Sequence, residues 1–252
     1  MKHASQPGQQ SERSVGPETS AASGGGKAAT LPVPDTLLFD LDGVLVDVSR
    51  SYRACIKATS SFFGGTVTRE EIAEAKRRGN ANNDWILTRD LLSRQGNDVS
   101  LQQVIDVFQR FYVGTEESPG FRDREVLIID RDLLDTLRQH YALAIITGRP
   151  AHEAARFLSH FELASQFERV VAMEDAPSKP HPTGVQNVMR ALESEVAWML
   201  GDTPDDMQAA RGAGAIAVGV CAGDDADMRA ALVAAGARVV LDNVNQIAKL
   251  LP

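Results

Sequence analysis

Residues 36–44 read Thr36-Leu37-Leu38-Phe39-Asp40-Leu41-Asp42-Gly43-Val44. The short apolar run has the composition of a buried strand, and it stops at acidic residues and a glycine that signals a turn. Side chains two apart on an extended chain point the same way, so Asp40 and Asp42 share one side of the strand end. Two carboxylates that close repel. The arrangement becomes favourable when a divalent cation neutralises them, or when one carboxyl keeps a proton while the other is ionised. An acidic Asp-Gly turn held only for solubility is the competing reading.

Later segments repeat the plan. Residues 142–146 end at Thr147-Gly148, 169–172 precede an acidic loop, 196–200 end at Gly201-Asp202, and 215–220 form a further apolar run. Helical stretches at about 131–140, 151–161, 182–193, 204–212 and 225–235 separate them. This alternation predicts an α/β fold with right-handed crossovers and a mostly parallel sheet covered on both faces. Ligands in such sheets sit at the carboxyl ends of the strands, where Asp40, Asp42, Thr147 and Asp202 fall.

Between 49 and 125 the alternation gives way to helical spacing, as in Tyr52, Cys55, Ile56 and in Leu101, Val104, Ile105, Phe108, Tyr112. The expected organisation is therefore a core of 35–48 and 126–252 with a helical insert of 49–125 over the strand ends. Residues 1–34 have almost nothing apolar to bury and are expected to be a disordered tail. The formal charge of -8 speaks against nucleic acid as a partner. No apolar stretch is long enough to span a membrane and none reads as a signal peptide, so a soluble cytoplasmic protein is expected. Cys55 and Cys221 offer only one pairing, which suits a reducing compartment and two buried thiols. Oligomeric state is not legible.

Asp202 lies in Gly201-Asp202-Thr203-Pro204-Asp205-Asp206. Thr203 can cap a helix with Pro204 in its first position and Asp206 reciprocating, which explains every residue except Asp202. Asp202 is thus the stronger metal ligand candidate and Asp206 the weaker. Thr147, ending a strand and opening a helix, offers its hydroxyl and the following N–H of Gly148 to an anion. Lys179 stands in the proline-flanked loop 177–182. The polar stretch 77–84 reads as a loop of the insert, with Asn82 and Asn83 as candidate substrate contacts; a turn capping the helix at Trp85 is the alternative.

Taken in order, these segments resemble the haloacid dehalogenase superfamily of phosphohydrolases, in its phosphoglycolate-phosphatase-like branch with a helical cap. Asp40-Leu-Asp-Gly-Val resembles the first motif, Thr147 the second, Lys179 the third, and Gly201-Asp202 with Asp206 the fourth. The resemblance spans about 36–250. It implies a Rossmann-like core with a four-helix cap inserted after the first strand, and Mg²⁺-dependent hydrolysis of a small phosphomonoester. Asp40 would be the nucleophile that carries an aspartyl-phosphate, and Asp42 the general acid/base. Mg²⁺ would be held by Asp40, the backbone carbonyl of Asp42, Asp202 and Asp206, while Thr147 and Lys179 hold the phosphoryl oxygens. A metal-free dehalogenase is disfavoured because Asp42 is present. A sugar phosphomutase and a non-enzymatic phospho-accepting signalling domain are the alternatives. Twelve basic against eleven acidic residues in the insert give a faint preference for an anionic substrate.

Overall fold

The computed structural model describes Met1 and residues 31–252, so most of the expected tail lies outside the described residues. The chain runs in order through β1 (Thr36–Phe39), β2 (Val46–Asp47), α1 (Tyr52–Phe62), α2 (Arg69–Arg78), α3 (Asp84–Ser93) and α4 (Leu101–Val113). A small hairpin, β3 (Gly114–Thr115) and β4 (Ser118–Pro119), leads back through β5 (Val126–Leu127). Then follow α5 (Arg131–His140), β6 (Ala142–Ile146), α6 (Ala151–His160), β7 (Arg169–Val171), α7 (Thr183–Ala191), β8 (Ala197–Gly201), α8 (Pro204–Ala213), β9 (Ile216–Val220), α9 (Ala226–Ala235) and β10 (Val239–Leu241).

Six strands form one sheet in the order β10-β9-β8-β1-β6-β7, with every pairing parallel. Leu37, Leu38 and Phe39 are fully buried, as a central strand covered on both faces requires. Helices α7, α8 and α9 bury Val185, Val188, Met207, Ala209, Ala210 and Leu232 against Leu38, Ala144 and Met199 of the sheet. Each fully buried Leu or Val in this layer is worth roughly 1.5–3 kcal/mol. From β1 the chain builds outward through β6 and β7 on one side and β8 to β10 on the other, so β1 ends at the topological switch point. Phe39 pairs with Ile145 and Leu200, which sets Asp40 level with Ile146 and Gly201.

The insert leaves and rejoins this sheet through two linkers that pair antiparallel, Val46 with Leu127 and Asp47 with Val126. Within it α1 packs on α3 and α4, burying Cys55, Ile56, Leu91, Leu92, Val104 and Phe108. Helix α2 lies against α8 and α9. Its ends are set by sequence: Thr68 and Glu71 form a capping box, Glu70 and Glu71 occupy the first turn, and Lys76, Arg77 and Arg78 the last. That last turn corrects the expected loop of 77–84. Arg77 and Arg78 are helical, held by ion pairs to Glu70 and Glu74, and the loop shrinks to 79–83. Strand β10, three residues pairing with β9, has no sequence signal long enough to be read. No helix among the described residues is long and apolar enough to cross a membrane.

Candidate active site

Asp40 follows β1 directly, is 5% exposed, and donates its N–H to the Leu200 carbonyl at 2.9 Å. The chain then folds back at once: the N–H groups of Leu45 and Val46 both reach the Leu41 carbonyl, and the Gly43 N–H reaches that of Val46. Gly43 takes φ +80°, and a Cβ there would lie 2.0 Å from Asp202 Oδ2. Only glycine satisfies the turn and admits the Asp202 carboxylate from the end of β8.

Asp206 enters from α8. Thr203 and Asp206 form the capping box that the sequence suggests, with Pro204 at the start of the helix. The Thr203 hydroxyl and N–H donate to Asp206 Oδ2 at 2.6 and 3.0 Å, leaving Oδ1 free to face the site. Ligand oxygens of Asp40, Asp202 and Asp206 lie within 4.8 Å of one another. Lys179 Nζ sits among them, 2.7 Å from Asp40 Oδ1 and 2.5 Å from Asp206 Oδ1. Asp206 Oδ1 is buried and has no aligned hydrogen bond despite that contact. Burial pushes the Asp40 carboxyl well above the usual range, with Lys179 opposing the shift and the neighbouring aspartates adding to it. Burial, and then Asp206, raises Asp202 to about 6. For Lys179 burial acts downward, but Asp206 and Asp40 outweigh it and keep the ammonium charged. Three carboxyl groups crowd one ammonium in a buried space, and the raised Asp40 and Asp202 show that this excess of acid is costly to ionise without a further cation. An oxygen-ligated divalent cation fits that donor set.

The Asp42 carboxylate stands outside this cluster and turns to Arg149. Arg149, fully buried, donates from Nε to Asp42 Oδ1 at 2.8 Å, and its Nη2 lies 2.6 Å from the same oxygen. Nη2 also reaches Glu125 Oε1 at 2.9 Å, and Nη1 reaches the Tyr112 hydroxyl at 3.2 Å. The guanidinium stacks 4.7 Å from the Tyr52 ring centroid. Sequence reasoning passed over Arg149. Its only local signal is an arginine directly after a buried strand and before Pro150, where a solvent-exposed side chain is the default expectation.

Thr147 is buried, but its hydroxyl accepts the Arg149 N–H at 3.1 Å, and α6 begins only at Ala151. Pro150 separates Thr147 from the helix and the Ala151 N–H is taken by Glu174 at 3.0 Å, so the donors left to an anion here are the Thr147 hydroxyl and the Gly148 N–H rather than the start of α6. Gly148 faces the insert, since a Cβ there would lie 2.6 Å from the Asn82 carbonyl. The Asn82 amide reaches the Lys179 carbonyl at 3.1 Å and Asp205 Oδ2 at 2.6 Å. Asp205 also accepts the N–H groups of Asn80 and Ala81, so a core carboxylate grips the insert's loop. Asn83 caps α3, accepting from the N–H groups of Trp85 and Ile86. Asn82, Asn83, Trp85, Tyr52 and Arg53 line a chamber of about 40 Å³ over Asp40 and Asp42. Lys76 lines it too, paired with Asp84 at 2.8 Å.

Acidic strand ends around a buried lysine, beneath a helical insert, agree with a family model described as haloacid dehalogenase-like hydrolase, which matches residues 37–220. The chain belongs to this family. Among its relatives, an imidazoleglycerol-phosphate dehydratase from Phytophthora nicotianae is 41% identical over 192 residues, 73% of this chain but only 42% of that protein. A phosphoglycolate phosphatase from Pseudomonas fluorescens (strain Pf0-1) is 26% identical, covering 76% of this chain and 71% of that one. Among solved structures, a hydrolase from Pseudomonas syringae shares the fold with a TM-score of 0.68 at 22% identity, over 85% of this chain and 96% of that one.

Proposed function

We propose that this family member is a phosphomonoesterase that hydrolyses a small phosphorylated metabolite through an aspartyl-phosphate on Asp40. The observation that carries the reading is the placing of Asp40: buried at the end of the central strand, 2.7 Å from Lys179, and grouped with Asp202 and Asp206. A carboxylate so held can accept a phosphoryl group covalently. The family's hydrolytic character and the phosphoglycolate phosphatase relative favour the same chemistry.

One Asp40 oxygen attacks phosphorus while the bond to the leaving oxygen breaks. Asp42, on the neighbouring side of the turn, reacts in its protonated form and gives that proton from the oxygen not held by Arg149 to the departing alkoxide. It then takes a proton from the water that attacks the aspartyl-phosphate, releasing inorganic phosphate and restoring Asp40. Lys179 offers its positive charge to a phosphoryl oxygen, and the Thr147 hydroxyl and Gly148 N–H are the further donors nearby. A Mg²⁺ ion held by Asp40, Asp202, Asp206 and the Asp42 carbonyl would offset the charge on the transferring group. Residues 49–125 serve as the lid, with Asn82 and Asn83 facing the leaving group.

The test is turnover of a generic aryl phosphate with Mg²⁺, followed by mass spectrometry of the peptide carrying Asp40 after rapid quenching. A transient phosphoryl increment on that peptide is expected, and Asp40→Asn should retain less than about a hundredth of the rate. Turnover without any increment on Asp40, or a fully active Asp40→Asn chain, rejects the reading. The substrate panel should include phosphoglycolate and imidazoleglycerol phosphate, for which two relatives are named.

A further inference from the structure

Beside the reaction chamber, the seam between α1, α2 and the ends of β8 and β9 opens into a groove of about 860 Å³. Arg50 lines it from just before α1, Arg53 and, one turn further on, Lys57 from α1 itself, and Arg69 and Lys76 from α2. Acids line it too. Glu70 and Asp225 share Arg77 at 2.7 and 3.6 Å, Asp47 accepts only the Ser49 N–H at 2.8 Å, and Asp202 belongs to the carboxylate cluster, so four acids line the groove beside five bases. Among the described residues Arg50, Lys57 and Arg69 form no ion pair, and Arg53 comes no closer than 3.8 Å to Asp202. Three cations without an ion-pair partner therefore share one concave surface of a chain whose formal charge is -8. Unpaired charges in a concave wall act more strongly on an oppositely charged ligand than they would on a flat, solvated face.

Chamber and groove adjoin, because Arg53, Lys76 and Asp202 belong to the walls of both. Lys57 lies four residues beyond Arg53, about 6 Å along the helix, and Arg69 lies seven before Lys76, about 10 Å away. An anion held by Lys57 and Arg69 must therefore sit well outside the chamber that takes the scissile phosphate. We propose that the groove binds a second anionic group on the substrate, a phosphate or carboxylate at the far end of a hexose-sized leaving group. This rests on the phosphomonoesterase reading and narrows it to long bis-anionic esters. A two-carbon ester or pyrophosphate ends within the chamber and gains nothing from Lys57 or Arg69. Arginine's fork suits either terminal group, and the lysine adds charge without a fixed geometry.

The experiment compares three hexose-sized substrates: glucose 6-phosphate, which lacks a second anion, 6-phosphogluconate, which adds a carboxylate, and glucose 1,6-bisphosphate, which adds a phosphate. At low salt the wild-type kcat/KM should favour at least one bis-anionic compound by about tenfold or more, and the advantage should shrink with added salt. The two bis-anionic arms show which group the groove takes. Lys57→Ala/Arg69→Ala should cut the advantage to about twofold or less and leave aryl phosphate hydrolysis unchanged. Equal rates for all three hexose derivatives, or an advantage that survives the double substitution, overturns the assignment. Calorimetric binding of the same compounds to Asp40→Asn separates the two ideas. If no phosphoester turns over but the bis-anionic compound still binds more tightly, and the advantage vanishes with Lys57 and Arg69, the groove stands and the phosphomonoesterase reading falls. Equal binding together with good aryl phosphate turnover removes the groove and keeps the reaction.

Discussion

Replacing Glu153 with glutamine removes an ionisable group from the seam between insert and sheet while keeping its shape. Glu153 is 3% exposed in the first turn of α6. It accepts hydrogen bonds from the Tyr52 hydroxyl and, at 2.7 Å, from the Gln109 amide, both contributed by the insert. Burial first, then the charges of Asp42 and Glu174, push its carboxyl from the ordinary 4.5 to about 8. The folded chain therefore holds this proton more tightly than the unfolded chain does. Between pH 4.5 and 8 the folded state binds more protons, so the group's contribution is fully present below pH 4.5 and is lost as pH rises through 8. At ~1.4 kcal/mol per pH unit, the loss across that window is on the order of 4 kcal/mol. The positive end of α6 returns only about 0.3–1 kcal/mol of that to the carboxylate.

Glutamine carries no such penalty. Its carbonyl accepts one of the two hydrogen bonds, and its amide can donate to the Tyr52 oxygen. Thermal unfolding of Glu153→Gln and wild type, followed side by side from pH 5 to 9, should give similar midpoints at the acid end. At pH 9 the variant should melt higher by roughly 5–15 °C, taking about 2–4 °C per kcal/mol for a chain of this size. Parallel pH profiles would show that Glu153 ionises as an exposed carboxylate does, and would refute the argument.

Three further outcomes are expected. Mg²⁺ at about a hundred times its dissociation constant should stabilise the fold by ~2.7 kcal/mol, and Asp206→Asn should abolish the shift in melting temperature; an unchanged shift would remove Asp206 from the metal site. Arg149→Met strands the buried Glu125 carboxylate and frees Asp42, so it should cost about 3–5 kcal/mol in denaturant unfolding, with Arg149→Lys recovering part; a cost under about 1 kcal/mol would mean that Asp42 and Glu125 find other partners. Asp205→Ala removes three hydrogen bonds to the 80–82 loop, and kcat/KM for a large phosphoester should fall about tenfold with little change for a small aryl phosphate; equal falls would make the contact purely structural.

Local chemistry was legible and distant pairing was not. Asp40, Asp42 and Asp202 could be placed at strand ends because short apolar runs precede them, and the sheet brings Asp40 and Asp202 together as neighbours of β1 and β8. The Thr203–Asp206 capping box was visible because its partners stand three residues apart. Arg149 with Asp42 and Glu125, and Asp205 with Asn82, pair across 107, 24 and 123 positions, with no periodicity to announce them. The end of α2 was misplaced because a run of charged residues looks like a loop until Glu70 and Glu74 are seen pairing with it.

The same long-range contacts tie the acid/base to the insert. Arg149 holds Asp42 from one side, and Tyr52 and Tyr112 of the insert cover its guanidinium from the other. Lifting the insert would expose that guanidinium and take away its contacts to Tyr52, Tyr112 and Glu125. On the opposite wall Asn82 bridges Asp205 and the Lys179 carbonyl, so the same motion would loosen the loop that carries the lysine beside Asp40. The surroundings of Asp40 and Asp42 are thus each in contact with the insert through a different core residue. On the proposed mechanism, closing the insert would both order these surroundings and exclude bulk water from an aspartyl-phosphate. On that reading the insert would do more than select: a substrate that holds it closed through the groove at Lys57 and Arg69 would also keep the guanidinium beside Asp42 covered.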